Sequence, residues 1–189
     1  MQIPRVKLDD ILITERIQSA AADTSAGPLQ LDGLKKIAEA MSDSPQQVIQ
    51  MLCDLALEAT GSDTAGISWL LPDDEGLKWI GLSGAFSPYL GNIVPRFNSP
   101  CGTVLDRNAP QLFTRPERYF EWMQAADVSA AEGLVIPFYA PSGEARGTFW
   151  AATLDEQHSF QRNDAQVLTS LAAHASSALK ILGWYDGQQ

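Results

Sequence analysis

Two pairs of apolar segments joined by tight turns constrain the fold of this chain more than any other feature. Segments 64–71 and 77–83 flank a PDDEG turn, and segments 133–140 and 144–153 flank a PSG turn. Proline, aspartate and glycine in these positions are typical of hairpin turns. Both strands of the first pair carry apolar residues on each face, so we expect an antiparallel sheet that is covered, at least in part, on both sides.

Helical patterns are grouped at the two ends of the chain. Apolar residues recur at helical spacing over 31–41, and Ser44 and Gln47 form a capping box before a second helix that Gly61 ends. The stripe that this second helix is expected to bury consists of Val48, Met51, Leu52, Leu55 and Ala59. A third helix is predicted over 162–182, and its apolar arc is wide enough to cover the sheet and also meet a partner helix.

Adjacent strands with tight turns, followed and preceded by helices, predict an α+β fold. We expect an antiparallel sheet of five or six strands, with the terminal helices on one face and loops plus short helices on the other. The predicted organisation is an N-terminal arm or linker over 1–30, a domain over 31–184 and a C-terminal tail over 185–189. The apolar residues of the arm, which we expect to pack on a neighbouring helix or a partner chain, are Ile11, Leu12, Ile13 and Ile17.

The segment 98–113, NSPCGTVLDRNAPQLF, predicts a short helix followed by a short strand. Ser99 can cap the helix, Pro100 suits its first position, and Asn108 can end it in a left-handed conformation. Cys101, one of only two cysteines, lies in the first turn, where the helix dipole favours a thiol more acidic than a free cysteine. The alternative, a small residue packed at a helix start, is the favoured interpretation.

The segments on either side of this stretch are rich in large apolar residues. Residues 84–98 have no usable period, and a binding loop and a satellite hydrophobic cluster explain them equally well. Thr114 and Glu117 read as a second capping box, which would start an aromatic-rich helix. The residues expected in that helix are Tyr119, Phe120, Trp122 and Met123.

Charge and cysteine content exclude several classes of function. The net charge is -10, and the 13 lysines and arginines are scattered, so we expect no nucleic-acid partner. Two cysteines without CxxC spacing support neither a disulfide framework nor a zinc site and favour a reducing, cytosolic compartment. We find no apolar run of membrane-spanning length and no secretion signal.

The C-terminal stretch GTFWAATLDEQHSFQRNDAQVLTSLAAHASSALKIL resembles the close of a GAF domain. The positions that match the family pattern there are Gly147, Phe160, Asp164, Leu168, Leu171 and Ala172. GLVIPF resembles the family's penultimate strand. The stretches SPCGTVLDRNAPQLF, RPERYF and PRVKLDDILITE resemble the subgroup found at the N-terminus of bacterial sensor histidine kinases. One departure is Leu154, where that subgroup commonly has a histidine, although His158 lies close by.

The resemblance implies a small-molecule pocket on the outer side of the sheet and a dimeric bundle of terminal helices that passes signals along the chain. Free methionine sulfoxide reductases of the family look similar around Cys101 and Gly102. That chemistry also needs a cysteine before the penultimate strand, and residues 127–133 contain none. Cys53 is a poor resolving partner for a thiol redox cycle, and its expected role is that of a small core residue.

Cofactors of other GAF domains are not expected here. Bilin-binding members attach the pigment through a cysteine, often followed by histidine, and the ERYFEWMQ stretch has neither. The other known bilin attachment position, in the N-terminal stretch, also has no cysteine. Haem needs an axial ligand, and His158 and His174 are the only histidines. The Asn-Lys-Phe-Asp-Glu signature of cyclic-nucleotide binders is missing.

We therefore expect a cytosolic sensory module that binds a small molecule between the sheet and residues 84–125. It would be a homodimer in two-component-type signalling, with a histidine kinase or another signalling domain as its partner. The candidate ligand-binding residues are Trp79, Phe86, Tyr89, Arg96, Cys101, Arg118, Tyr119, Trp122 and Trp150. The alternatives are a dimerisation and relay domain without a ligand and, third, a thiol enzyme. The residues do not choose between an anion, an aromatic metabolite and no ligand.

Overall fold

The centre of the protein is a six-stranded antiparallel sheet, seen in a computed structural model that describes residues 6–18, 45–72, 76–181 and 183. Its strands are β1 (Thr64–Leu70), β2 (Gly76–Gly84), β3 (Ile93–Pro95), β4 (Gln111–Thr114), β5 (Glu132–Tyr139) and β6 (Ala145–Thr153). Their spatial order is β3-β2-β1-β6-β5-β4. The two predicted hairpins lie side by side at the centre because β1 pairs with β6 as well as with β2.

The helices lie on both sides of this sheet. They are α1 (Glu15–Gln18), α2 (Pro45–Thr60), α3 (Pro100–Arg107), α4 (Glu121–Ala125) and α5 (Arg162–Ile181), with short 3-10 turns at Leu8–Asp10, Ser87–Tyr89 and Pro116–Arg118. None of the helices in the described part of the chain has the length and apolar character that crossing a bilayer requires.

The face of the sheet under α2 and α5 is closely packed. Leu52 of α2, Phe149 of β6 and Leu168 of α5 are almost fully buried in one core. Gly81 of β2 allows α2 to approach the sheet, since a Cβ atom there would lie 2.3 Å from Cγ2 of Ile49. Helix and sheet therefore meet without room for an added methyl group on this face.

The opposite face carries a second core under α3, α4 and the loops. Phe113 of β4 and Phe120, next to α4, are buried with their ring centroids 6.0 Å apart in an edge-to-face arrangement. Val104 of α3 and Trp150 of β6 belong to the same core. The predicted α+β architecture is thus confirmed, with the long helices on one face and loops plus short helices on the other.

Helix α2 presents a different stripe to the core than the sequence pattern predicted. Val48 and Leu52 are buried as expected, but the predicted Met51, Leu55 and Ala59 are only half-buried. The buried line continues instead through Ile49, Cys53, Ala56 and Thr60. Two neighbouring stripes of this helix are both apolar, so the pattern did not decide which faces the sheet. The predicted helix over 31–41 and the cap at Ser44 lie outside the described residues.

Strand β3 lies in the segment for which the sequence showed no period. Val94 pairs with Leu77 of β2, and the Trp79 amide donates to the Asn92 carbonyl at 2.9 Å. The strand has only three residues, with a buried valine between exposed Ile93 and Pro95. A segment this short has too few residues to show alternation.

The predicted capping box at residues 114–117 is wrong. Thr114 ends strand β4, and Arg115 adopts a left-handed conformation with φ 45°. The Glu117 carboxylate accepts a hydrogen bond from the Ala130 amide at 3.4 Å instead of capping a helix. The aromatic-rich segment therefore begins with a 3-10 turn, and α4 starts only at Glu121.

The arm was expected to pack on a neighbouring helix or a partner chain, and its described part packs on α5 and on the β4 edge of the sheet in its own domain. Leu12 forms an isolated antiparallel bridge with Phe113 of β4. Ile11 is fully buried in the core under α3 and α4, and Ile17 lies in the core under α2 and α5. Residues 6–18 therefore cover the β4 edge of the sheet, which would otherwise expose unpaired backbone groups.

Candidate functional site

An apolar cavity of about 60 Å³ lies between the sheet and the layer of short helices. Strands β2, β5 and β6 form its floor, and the start of α3, helix α4 and the following loop form its walls. Its lining residues are Trp79, Phe86, Val94, Ser99, Pro100, Cys101, Phe113, Pro116, Trp122, Met123, Val128, Ala130, Gly133, Val135, Trp150, Ala151 and Ala152. Among these there is no charged side chain.

Aromatic rings form one side of the cavity. Trp79 of β2 and Trp150 of β6 have ring centroids 5.5 Å apart, and Phe86 stacks on Trp79 at 6.3 Å with an interplanar angle of 9°. The Trp150 indole N–H donates to the Ser68 hydroxyl at 2.9 Å. That bond fixes the Trp150 ring, since Ser68 is itself fully buried in β1.

The start of α3 is held by three interactions. The Ser99 hydroxyl accepts from the Gly102 amide at 3.0 Å, as predicted for the N-cap, and Asn108 ends the helix with φ 49°. Arg96 donates to the Gly102 carbonyl at 3.1 Å and to the Asp106 carboxylate at 2.7 Å. Residue 102 must be glycine here, since a Cβ would lie 1.8 Å from the Arg96 carbonyl oxygen. This arrangement places Cys101 in the cavity wall.

The Cys101 thiol is less acidic than a free cysteine, which reverses the expectation from the helix dipole. Burial raises the pKa of Cys101 above its ordinary value of 9.0, although the nearby Thr148 and Ser68 hydroxyls act in the opposite direction. Its sulfur lies 3.8 Å from the Ser68 hydroxyl. Burial likewise raises the pKa of Cys53, which lies in the core on the other face of the sheet.

Gly133 is the feature that leaves the cavity open. It lies within β5, paired with Phe113 of β4 and Ala152 of β6. A Cβ atom at this position would have no heavy atom outside its chain neighbours within 4 Å. By contrast, a Cβ at Gly66 would lie 2.5 Å from the Trp150 ring. The missing side chain at Gly133 therefore corresponds to empty space, and not to a close approach of another element.

Two of the tryptophans that line the cavity have an indole N–H without a hydrogen-bond partner among the described residues. They are Trp79 and Trp122, and both nitrogen atoms are buried. A buried donor without a partner costs free energy, and native proteins retain few of them. Both nitrogen atoms are covered by neighbouring atoms, so the surface that the cavity presents is apolar.

Of the nine residues predicted for the site, five line the cavity: Trp79, Phe86, Cys101, Trp122 and Trp150. The other four do not. Arg96 is bonded to the α3 backbone and Asp106, and Arg118 is exposed. Tyr89 is 39% exposed, and Tyr119 packs edge-to-face on Phe120 with centroids 5.0 Å apart.

Sequence reasoning missed the remainder of the wall. The missed residues are Val94, Ser99, Pro100, Phe113, Pro116, Met123, Val128, Ala130, Gly133, Val135, Ala151 and Ala152. A glycine within an otherwise apolar strand is a signal that could have pointed to Gly133. The aliphatic residues carry no such signal, because the same side chains fill cores and cavity walls.

The match to a family model covers residues 42–180 and identifies a GAF domain. The chain belongs to the GAF domain family. GAF domains are sensory and regulatory modules, and some of them bind ligands. No curated protein matches the sequence.

Solved GAF domains share the fold at low sequence identity. One from a phosphoenolpyruvate-protein phosphotransferase of Coxiella burnetii is 16% identical with a TM-score of 0.69, over 86% of this chain and 100% of that one. One from an Acinetobacter phosphoenolpyruvate-protein phosphotransferase is 15% identical with a TM-score of 0.67, over 85% and 98%. A free methionine-R-sulfoxide reductase from Neisseria meningitidis, solved with its substrate, is 17% identical with a TM-score of 0.63, over 88% and 96%.

Proposed function

We propose that this GAF domain is a cytosolic sensory module that binds a small molecule in the cavity between the sheet and residues 84–125. The observation that supports this proposal best is the open space above Gly133. A core that served packing alone would gain from filling such space, because burying an added methyl group stabilises the fold.

The sheet offers a physical route from the cavity to the long helices. Neighbouring residues of β6 point to opposite faces, so Trp150 lines the cavity while Phe149 lies in the core under α2 and α5. A ligand that displaces Trp150 would also shift the β6 backbone under those helices. We propose that α2 and α5 carry this change to a neighbouring signalling domain, such as a histidine kinase in a two-component system.

We further propose that the module acts as a homodimer through its terminal helices. Val167 and Leu171 on α5 remain only half-buried within the described residues, which leaves apolar surface for a partner helix. Sedimentation at micromolar concentration tests this, with Val167→Glu as the disrupting change and Thr169→Glu, on the exposed polar side of α5, as its control. A wild-type chain that sediments as a monomer would contradict the dimer.

A catalytic role through a thiol has no support in the site. The two cysteines lie in separate cores on opposite faces of the sheet, and burial raises the pKa of both thiols. Thiol redox chemistry requires a reactive thiolate and a resolving partner. We therefore propose that the domain is not an enzyme. Methionine sulfoxide reduction that depends on Cys101 would contradict this.

The second candidate function is signal relay without a ligand, which the small volume of the cavity favours. A metabolite screen by thermal shift separates the two, with Gly133→Leu as the blocked variant and Gly133→Ala as its matched control. We expect at least one metabolite to raise the melting temperature of the wild type and not that of Gly133→Leu. If no metabolite stabilises the wild type, or if every hit stabilises Gly133→Leu equally, the relay function without a ligand is the better proposal.

A further inference from the structure

We propose that the cavity binds a small apolar molecule, such as a dissolved gas or a hydrocarbon of about two or three carbon atoms. This inference rests on the proposed sensory function and names the chemical class of its ligand. It selects against the anion and the aromatic metabolite that the sequence left open as ligands. Three properties of the cavity support it: its surface, its volume and the glycine in its floor.

The hydroxyl and indole groups of the lining are bonded within the protein or covered. The Ser99 hydroxyl caps α3, and the Trp150 indole N–H donates to the Ser68 hydroxyl at 2.9 Å. The indole nitrogens of Trp79 and Trp122 are covered by neighbouring atoms. None of the described residues that line the cavity carries a charged side chain. These groups therefore offer a ligand neither a charge nor a free hydrogen-bonding partner.

The start of α3, which forms one wall, provides little for an anion, although helix N-termini in general attract negative charge. Pro100 has no N–H group, and the amides of Gly102 and Thr103 donate to the hydroxyl and the carbonyl of Ser99 at 3.0 and 2.9 Å. The Cys101 thiol in the same wall is neutral at pH 7, because burial raises its pKa. An anion would lose its hydration here without gaining a cationic partner, which is strongly unfavourable.

A neutral polar molecule meets a smaller obstacle of the same kind. Its oxygen or N–H group would give up hydrogen bonds to water without replacing them in the cavity. An apolar molecule gains from the transfer in proportion to the apolar area that it removes from water. The rings of Trp79, Phe86 and Trp150 and the sulfur atoms of Cys101 and Met123 supply polarisable contacts for it. The wall therefore favours an apolar occupant over a polar one of equal size.

The size of the cavity sets the size of the ligand. A volume of about 60 Å³ exceeds several-fold the ~10–15 Å³ needed for one water molecule, and it is below half of the ~150 Å³ apolar cavity that holds benzene. In proportion, the cavity accommodates about two or three carbon atoms. A larger ligand would require the α3 or α4 wall to move outward.

Gly133 is the position that keeps this volume open. It lies within β5, where a glycine costs backbone entropy and contributes no packing. A Cβ atom here would meet no heavy atom outside its chain neighbours within 4 Å, so a larger residue would have room. At Gly66, by contrast, a Cβ would lie 2.5 Å from the Trp150 ring, and glycine is required for packing. Packing does not require a glycine at position 133, whereas a binding cavity at this place does.

Propane, ethanol and formate have equal numbers of non-hydrogen atoms and test the class. Propane is apolar, ethanol carries a hydroxyl group, and formate carries a negative charge. The methyl resonances of Val128, Ala130 and Val135 in a ¹³C-correlated spectrum report on the cavity, and those of Ile49 and Leu52 report on the opposite core. We expect propane to give saturable shifts in the cavity set alone and to bind at least about tenfold more tightly than ethanol. Formate should give no saturable shift.

Variants at Gly133 and one control locate the binding. Gly133→Leu should abolish the propane shifts, whereas Ala125→Leu, which adds the same side chain at an exposed position of α4, should leave them unchanged. Gly133→Ala fills only part of the cavity, so it should weaken the binding of propane more than that of the smaller xenon atom. This comparison keeps the test decisive if Gly133→Leu does not fold.

Binding of ethanol or formate as tight as that of propane would overturn the inference. Equal propane shifts in the two cores, or unchanged propane binding by a folded Gly133→Leu variant, would overturn it as well. If neither propane nor xenon binds, this ligand class is wrong. A metabolite hit in the thermal-shift screen that Gly133→Leu abolishes would still support the sensory function in that case.

Discussion

The two faces of the sheet are built from similar apolar residues, yet they differ in how completely they are filled. On the helix face, an atom added at Gly81 would lie 2.3 Å from Ile49. On the loop face, an atom added at Gly133 meets nothing within 4 Å. Long helices pack as continuous ridges on a sheet, whereas short helices and loops cover it in separate pieces. The comparison shows that the loop face retains empty space at Gly133, although a Cβ at Gly66 on the same face would lie 2.5 Å from the Trp150 ring.

The largest effect is expected on the filled face. Phe149 is fully buried between β6 and the long helices, so Phe149→Ala should lower the free energy of unfolding by about 3–5 kcal/mol, because it removes buried area and leaves a cavity. Urea denaturation monitored by circular dichroism measures this. A loss below 1 kcal/mol would mean that the core under α2 and α5 is less tightly packed than described.

A change from glycine to alanine should alter stability in opposite directions at Gly81 and at Gly133. Gly81→Ala should destabilise the protein by about 1–3 kcal/mol, since the new methyl group overlaps Ile49. Gly133→Ala should instead stabilise it by up to about 1 kcal/mol, because alanine loses less backbone entropy on folding and fills empty space. Melting temperatures of both variants provide the measurement. The same sign for both changes would remove the distinction between the faces.

Each face of the sheet buries one cysteine thiol, so the free energy of unfolding should fall as pH becomes alkaline. Burial raises the pKa of Cys53 and Cys101 in the folded state, so the unfolded chain releases these protons first as pH rises. The stabilisation is complete below the ordinary pKa of 9.0 and is lost above it, by at most about 1.4 kcal/mol per pH unit for each thiol. Unfolding free energies between pH 8 and 10.5 test this, with Cys53→Ala and Cys101→Ala expected to flatten the slope.

The smallest expected effect is the difference in unfolding free energy between variants of two tryptophans that line the cavity. Trp79 and Trp150 are each 6% exposed, but only the Trp150 N–H has a partner, the buried Ser68 hydroxyl. We expect Trp150→Phe to cost about 1 kcal/mol more unfolding free energy than Trp79→Phe, because it also breaks that hydrogen bond. A larger cost for Trp79→Phe would indicate that its N–H has a partner within the protein after all.

Much of the fold could be predicted because hairpin turns and helix caps leave strong local signals in the sequence. The two hairpin turns and the α3 helix, with its cap at Ser99 and its left-handed end at Asn108, depend on residues a few positions apart. The predictions failed where a contact between distant segments outweighed such a local signal. Thr114 and Glu117 match a cap in spacing, but pairing of Thr114 with Glu132 in the sheet overrides it.

The candidate site was only partly predictable, because its wall combines residues whose roles depend on what packs against them. Trp122 and Arg118 come from the same aromatic-rich segment, yet one lines the cavity and the other is exposed. Arg96 looked like an anion-binding residue, but it holds the α3 backbone through the Gly102 carbonyl. No spacing rule distinguishes these cases, since each is settled by contacts between distant segments.

The sequence by itself determined the family, the hairpins, the caps of α3 and the division into a helix-covered and a loop-covered face. The family follows from the resemblance of the C-terminal stretch to GAF domains. The other features follow from turn chemistry, capping and periodicity, all of which act over a few residues. Only the tertiary structure decided that Cys101 is buried with a raised pKa, that Arg96 is occupied and that Gly133 opens a cavity. The reason is that burial and empty volume are properties of the assembled layers and not of any one segment.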